Sequence, residues 1–159
     1  MFVRHYLEVP FGFEQTAEAL LRAPEEWIPG AARSAGRSGD ALLAEVGFDW
    51  NGSRMAKEVQ IEIGPPARLQ ARTLLPMTWR ATGSQGLFPM LDGDLEVARL
   101  GPTRTQVAVS AQYRPPLRSV GRAMDRALLH RIAEATVKDF TERVGKQIED
   151  MISIDSRTP

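Results

Sequence analysis

Residues 2–9, FVRHYLEV, alternate one by one: Val3, His5, Leu7 and Val9 fall on one face, Phe2, Arg4, Tyr6 and Glu8 on the other. A period of two belongs to a strand with one buried side. Pro10 and Gly12 end it, since both interrupt a regular ladder. The period then changes. Phe13, Ala17, Leu20 and Leu21 keep helical spacing, and Pro24 suits the first turn of a second short helix that carries Glu25, Glu26 and Trp27. The segment Pro29–Asp40, PGAARSAGRSGD, is small, polar and rich in glycine, and reads as a mobile loop within one domain.

Beyond it the period of two returns. Leu42, Ala44, Val46, Phe48 and Trp50 share a face, and Asn51–Ser53 carries a hairpin turn signal. Met55, Lys57, Val59, Ile61 and Ile63 share the next face, opposite Glu58, Gln60 and Glu62. The run 67–82 is long for one strand. Pro76 has no N–H for a ladder, and is expected to split the run into Ala67–Leu75 and Met77–Thr82 or to bend it strongly. MLDGDLEVARL and TRTQVAVSAQYR form a last hairpin with Val107, Val109, Ala111 and Tyr113 inward. Pro115 and Pro116 stop that strand and suit a helix entry. From about Ser119 to Ile152, the residues Val120, Met124, Leu128, Ile132, Phe140, Val144, Ile148 and Ile152 form an apolar stripe, widened by Leu117, Gly121, Ala135 and Met151. The stripe predicts one helix of about 33 residues, ~50 Å long. Such a helix needs a surface to lie on, and the inward face of an antiparallel sheet supplies it.

The whole reads as one α+β domain, residues 1–159, large enough for a single core. Hydrophobic residues at 43% and charged residues at 25% are the balance of a soluble globular protein. Twenty Lys and Arg against twenty Asp and Glu give zero net charge, which argues against a general nucleic-acid binder. The lack of cysteine removes disulfides, thiolate metal sites and a thiol nucleophile. No stretch approaches the ~18 apolar residues of a membrane span, and the first residues show no secretory leader. The expected protein is cytoplasmic, a monomer or homodimer, with no cofactor. No G-x-S-x-G, P-loop or Rossmann pattern occurs.

The order of elements, together with GDLEVARLGPTRTQVAVSAQYRPPLRSVGRAMDRALLHRIAEATVKDFTERV over residues 93–144, resembles the START-like, or SRPBCC, superfamily. Within it the stretch looks like bacterial proteins labelled polyketide cyclase/dehydrase-like or simply SRPBCC family. YRPPL followed by GRAMDRALLHR is its most specific part. The resemblance implies a helix-grip fold: a curved antiparallel sheet of about seven strands wrapped around the long C-terminal helix, with two short helices after the first strand. It also implies a cavity between sheet and helix for apolar ligands. Members include lipid carriers, hormone receptors and aromatase/cyclases, with no catalytic motif common to all, so the fold implies a pocket more than an activity.

On that frame the expected ligand-contacting residues are Phe48, Val59, Ile61, Trp79, Val109, Tyr113, Met124, Leu128 and Ile132. They are inward and mostly apolar, and Trp79 and Tyr113 add one polar atom each. The leading expectation is a carrier of a small hydrophobic ligand: a lipid, fatty-acyl, polyketide or isoprenoid-like molecule. An aromatase/cyclase or dehydratase-like enzyme is the second reading, with His5, Tyr113 or a pocket water moving protons. The third is an interaction module using Arg118, Arg122, Arg126 and Arg131 along the helix. The other candidates read as structural. Trp27 and Trp50 fill the core or cap a sheet edge, Lys57 snorkels to water, His130 sits on the polar helix face, and Asp92 and Asp94 belong to an Asp-Gly turn. Met55, Met77 and Met90, with Met124, fill irregular gaps or line the interior.

Overall fold

The computed structural model describes residues 1–36, 39–83, 88, 90–114 and 126–158. The first alternating run is β1 (Phe2–Val9), with Val3 and Val9 buried and Phe2, Arg4, Tyr6 and Glu8 exposed. Two helices follow, α1 (Phe13–Leu20) and α2 (Pro24–Trp27), the second opened by Pro24. Trp27 is fully buried, and its Nε1 donates to the Arg22 carbonyl at 3.3 Å. Next come β2 (Ala32–Gly36), β3 (Gly39–Trp50), β4 (Ser53–Ile63), β5 (Ala67–Arg68), β6 (Arg72–Ala81), β7 (Met90–Arg99) and β8 (Thr105–Arg114), and then α3 (Arg126–Asp155). The eight strands make one sheet in the order β1-β8-β7-β6-β4-β3-β2, with β5 paired to β6. Every pairing is antiparallel.

Three local expectations are corrected. The segment Pro29–Asp40, expected as a loop, contains β2, an edge strand with Ala32 opposite Leu43 and Gly36 opposite Gly39. Its small residues show no alternation, but an edge ladder is built from backbone groups alone. Pro76 does not break β6. It sits mid-strand opposite Asp94, and its carbonyl accepts from the Gly64 N–H at 2.8 Å. In an antiparallel strand one residue's N and C=O point to the same side. The missing N–H therefore faces the point where the chain leaves β4 for β5, and its cost is confined to the end of the β4–β6 ladder. Asp92, Gly93 and Asp94 form no turn, because they lie inside β7. A Cβ on Gly93 would stand 2.1 Å from the Ser110 carbonyl oxygen, and one on Gly47 2.4 Å from that of Met55. At these two positions neighbouring strands approach too closely for a side chain, as they do where a sheet bends.

α3 spans 30 residues, ~45 Å at 1.5 Å per residue. Ile132, Phe140, Val144, Ile148, Met151 and Ile152 are buried as the stripe predicts, and burial extends to Leu129, Ala133 and Val137. Thr136 and Thr141 are buried too, their hydroxyls donating to the Ile132 and Val137 carbonyls at 2.7 and 2.6 Å. Pro115, Pro116, Leu117, Val120, Gly121 and Met124 lie outside the described residues, as do Arg118, Arg122 and Asp125. α3 packs on β1 and β8 at one end of the sheet and on β3 toward the other. Near its middle Gly145 lets β1 come close: a Cβ there would meet Leu7 Cδ1 at 2.7 Å. The strands between these ends, β7, β6 and β4, face the helix across an interior lined by apolar side chains.

Candidate functional site

The ladder register sets inward side chains into rows across the strands. Leu42 stands opposite Ile61, Ile61 opposite Trp79, Trp79 opposite Leu91, and Leu91 opposite Tyr113. None of these five is more than 6% exposed. The sequence-predicted residues Ile61, Trp79 and Tyr113 thus share one row. Val59 belongs to the next row, between Ala44 and Ala81, and Val109 lies opposite Leu95 and His5 on the other side. Ile132 of α3 joins the same apolar cluster, and Leu128 packs against it half-buried. Phe48 is apart from the row, at the far end of β3, with its ring 5.7 Å from that of Phe88. Met124 lies outside the described residues.

Two polar atoms interrupt this wall. The Trp79 ring meets Phe140 of α3 edge-on, with centroids 5.0 Å apart and planes at 68°. Trp79 Nε1 is buried and finds no hydrogen-bond acceptor among the described residues. An unpaired buried donor costs about 1–3 kcal/mol. The Tyr113 hydroxyl donates to the Met1 sulfur at 3.0 Å. Burial, and then the Glu134 carboxylate, push the Tyr113 phenol above its ordinary range, with Arg126 opposing.

His130 is more engaged than a solvated helix residue. Its ring lies 6.1 Å from that of Tyr113 with a 30° tilt, its Nε2 is 3.2 Å from Glu134 Oε1, and its Nδ1 is buried without a partner. The i,i+4 spacing of His130 and Glu134 is the sequence signal for this pair. His5 is inward, yet it stands 3.7 Å from Glu142 of α3. With Arg4, Arg131 and Lys138 it borders an outer groove of about 350 Å³ between β1 and α3, away from the central row. Lys57 is half-buried and Met77 buried, while Trp50 and Met55 are each 40% exposed beside the β3–β4 turn. Trp50 leaves the core because its position at the hairpin tip carries it past the packed interior, although its phase is inward.

No protein-family model matches the chain, and no curated protein matches it significantly in sequence. Solved structures do match it. The Zhui aromatase/cyclase of a Streptomyces species superposes with a TM-score of 0.59 at 14% identity, over 99% of this chain and 96% of that one. A START superfamily protein from Mycobacterium smegmatis gives 0.56 at 15% identity, over 96% and 97%. The fold is START-like. Ara h 8.0201 adds a third such likeness, with a TM-score of 0.55 at 14% identity, over 97% and 98%. At these identities the likeness shows the fold alone. Among the described residues, no helix of this START-like chain is long and apolar enough to cross a membrane.

Proposed function

We propose that the protein binds a small hydrophobic ligand between the central strands of the sheet and α3. The observation that carries this reading is the row Leu42, Ile61, Trp79, Leu91 and Tyr113 facing the helix. It is an apolar wall with one indole N–H and one phenol O–H, the composition of a site that holds an apolar molecule and orients it. Val59, Val109, Leu128 and Ile132 extend the wall, and Phe48 and Met124 complete the proposed set. Lipid, fatty-acyl, polyketide and isoprenoid-like molecules fit this chemistry. The START-like fold supports the reading, since one solved neighbour is an aromatase/cyclase by name.

An environment-sensitive apolar dye tests it. Trp79→Ala or Tyr113→Ala should weaken dye binding roughly five- to thirtyfold, the effect of losing ~1–2 kcal/mol, beyond any loss of fold stability. Arg104→Ala, at an exposed position, should leave affinity unchanged. Equal binding by both aromatic variants contradicts the site.

One observation favours a second reading, an acid–base enzyme. His130 Nε2 lies 3.2 Å from the Glu134 carboxylate, and the buried Nδ1 is the ring nitrogen left to serve as a base beside Tyr113. Cyclisation of a poly-β-ketone above its spontaneous rate, lost in His130→Ala with dye affinity intact, would select the enzyme over the carrier.

A further inference from the structure

We infer that the Trp79 N–H is the ligand's anchoring donor, and that the ligand carries a neutral acceptor oxygen, such as a ketone or ester carbonyl, on its buried part. The inference rests on the binding reading above and specifies which hydrophobic molecules qualify. Two tryptophans of this chain are fully buried, and the fold treats them differently. Trp27 donates to the Arg22 carbonyl at 3.3 Å, so its indole is paired within the fold. The buried hydroxyls of Thr16, Thr105, Thr136 and Thr141 are likewise paired with carbonyls. Trp79 Nε1 alone among these buried donors has no acceptor among the described residues. Phe140 offers it only a ring, a weak acceptor compared with an oxygen.

An indole N–H donates and never accepts, so its partner must present a lone pair. A plain hydrocarbon leaves the donor as unpaired as before. A carboxylate placed at Trp79 would need a cation beside it to offset its lost hydration. The residues around Trp79 in the row and on the helix, Ile61, Leu91 and Phe140, carry no charge. The inward cation of β4, Lys57, is four residues from Ile61, about 13 Å along the strand. A neutral carbonyl on an otherwise apolar skeleton satisfies both conditions. It gains the hydrogen bond in a low-dielectric interior and loses little hydration on entry.

The test uses two molecules of one shape, fluorene and 9-fluorenone, which differ by a single carbonyl. Their affinities are measured for the wild type and for Trp79→Phe, which keeps a ring and removes the N–H. The wild type should bind fluorenone about fivefold or more tighter than fluorene, the effect of one added hydrogen bond. Trp79→Phe should bind the two alike, with fluorene affinity within about twofold of the wild type. Independently, in a ¹⁵N–¹H spectrum of the wild type, fluorenone should move the Trp79 indole N–H resonance downfield and fluorene should not. This second reading decides the matter if Trp79→Phe fails to fold. Binding of both molecules without preference, with no downfield shift from the ketone, overturns the inference and leaves the binding reading standing. Binding of neither removes the binding reading and the inference with it.

Discussion

Arg54 of β4 holds both carboxylate oxygens of Asp139 on α3, Nη1 to Oδ1 at 2.6 Å and Nη2 to Oδ2 at 2.8 Å. Arg143 adds a bond to the Glu45 carbonyl of β3 at 3.2 Å. On the opposite side of the helix, Gly145 lets α3 settle against Leu7 of β1. The helix is thus fastened to both ends of the curved sheet, and the central strands face it across the apolar row. The geometry of the fork makes Arg54 specific, since lysine cannot reproduce two parallel bonds.

Arg54→Lys should therefore destabilise the fold, but modestly. Both partners are partly exposed, so solvent screening limits the pair to about 1 kcal/mol. A double-mutant cycle with Asp139→Asn in urea should give that coupling, shrinking at high salt. The bond to Asp139, and then its charge, raise the Arg54 pKa against the effect of burial. A raised cationic pKa means that from neutral pH upward the stabilisation persists and is lost only in strong alkali. Arg54→Lys should thus cost the same at neutral and mildly alkaline pH.

Tyr113 predicts an alkaline loss of stability. Its folded-state pKa is raised, first by burial and then by Glu134, so the folded chain holds the phenol proton more tightly than the unfolded one. The stabilisation is complete below the unfolded value near about 10 and is lost as pH rises through the folded value. Urea midpoints should fall above about pH 10 in the wild type and fall less steeply in Tyr113→Phe. Equal slopes would show that Tyr113 is not the group responsible.

Ile132 and Leu128 occupy successive turns of α3 but differ in burial, Ile132 at 3% exposed and Leu128 half-buried. Ile132→Ala should cost about 2–4 kcal/mol and Leu128→Ala about half that. The reverse order in denaturant melts would mean that the helix is rotated relative to the described packing.

Gly93 should tolerate no side chain. A Cβ there would meet the Ser110 carbonyl at 2.1 Å and Ala111 Cβ at 2.7 Å, whereas one on Gly101 would meet nothing within 4 Å. Gly93→Ala is expected to cost more than about 2 kcal/mol, as overpacking against backbone does, and Gly101→Ala to stay within about 0.5 kcal/mol of wild type. Thermal melts compare them directly.

Much of this arrangement was legible in the chain because sheet faces are written at period two. The phases that put Ile61, Trp79 and Tyr113 inward are correct, and so is the buried stripe from Ile132 to Ile152. The START-like fold expected from the order of elements is the fold found. Where a local signal was weak or misleading, reading failed. β2 has no alternation to see, and Pro76 is tolerated inside β6 because β4 ends beside it. Asp92 and Asp94 flank a glycine that serves a close approach and not a turn. The transverse row was not legible, because which strand neighbours which is a long-range property. The unpaired Trp79 N–H was hidden for the same reason: a donor's partners belong to its three-dimensional surroundings, as the contrast with Trp27 shows.

The proposed binding places a small hydrophobic molecule between the sheet and α3. Native mass spectrometry of the protein purified from its own host measures this most directly. A species heavier than the bare chain by a discrete small-molecule mass is expected. That mass should disappear under denaturing conditions and be reduced in protein carrying Trp79→Ala. A single species at the bare-chain mass, in protein that also fails to bind an apolar dye, would contradict it.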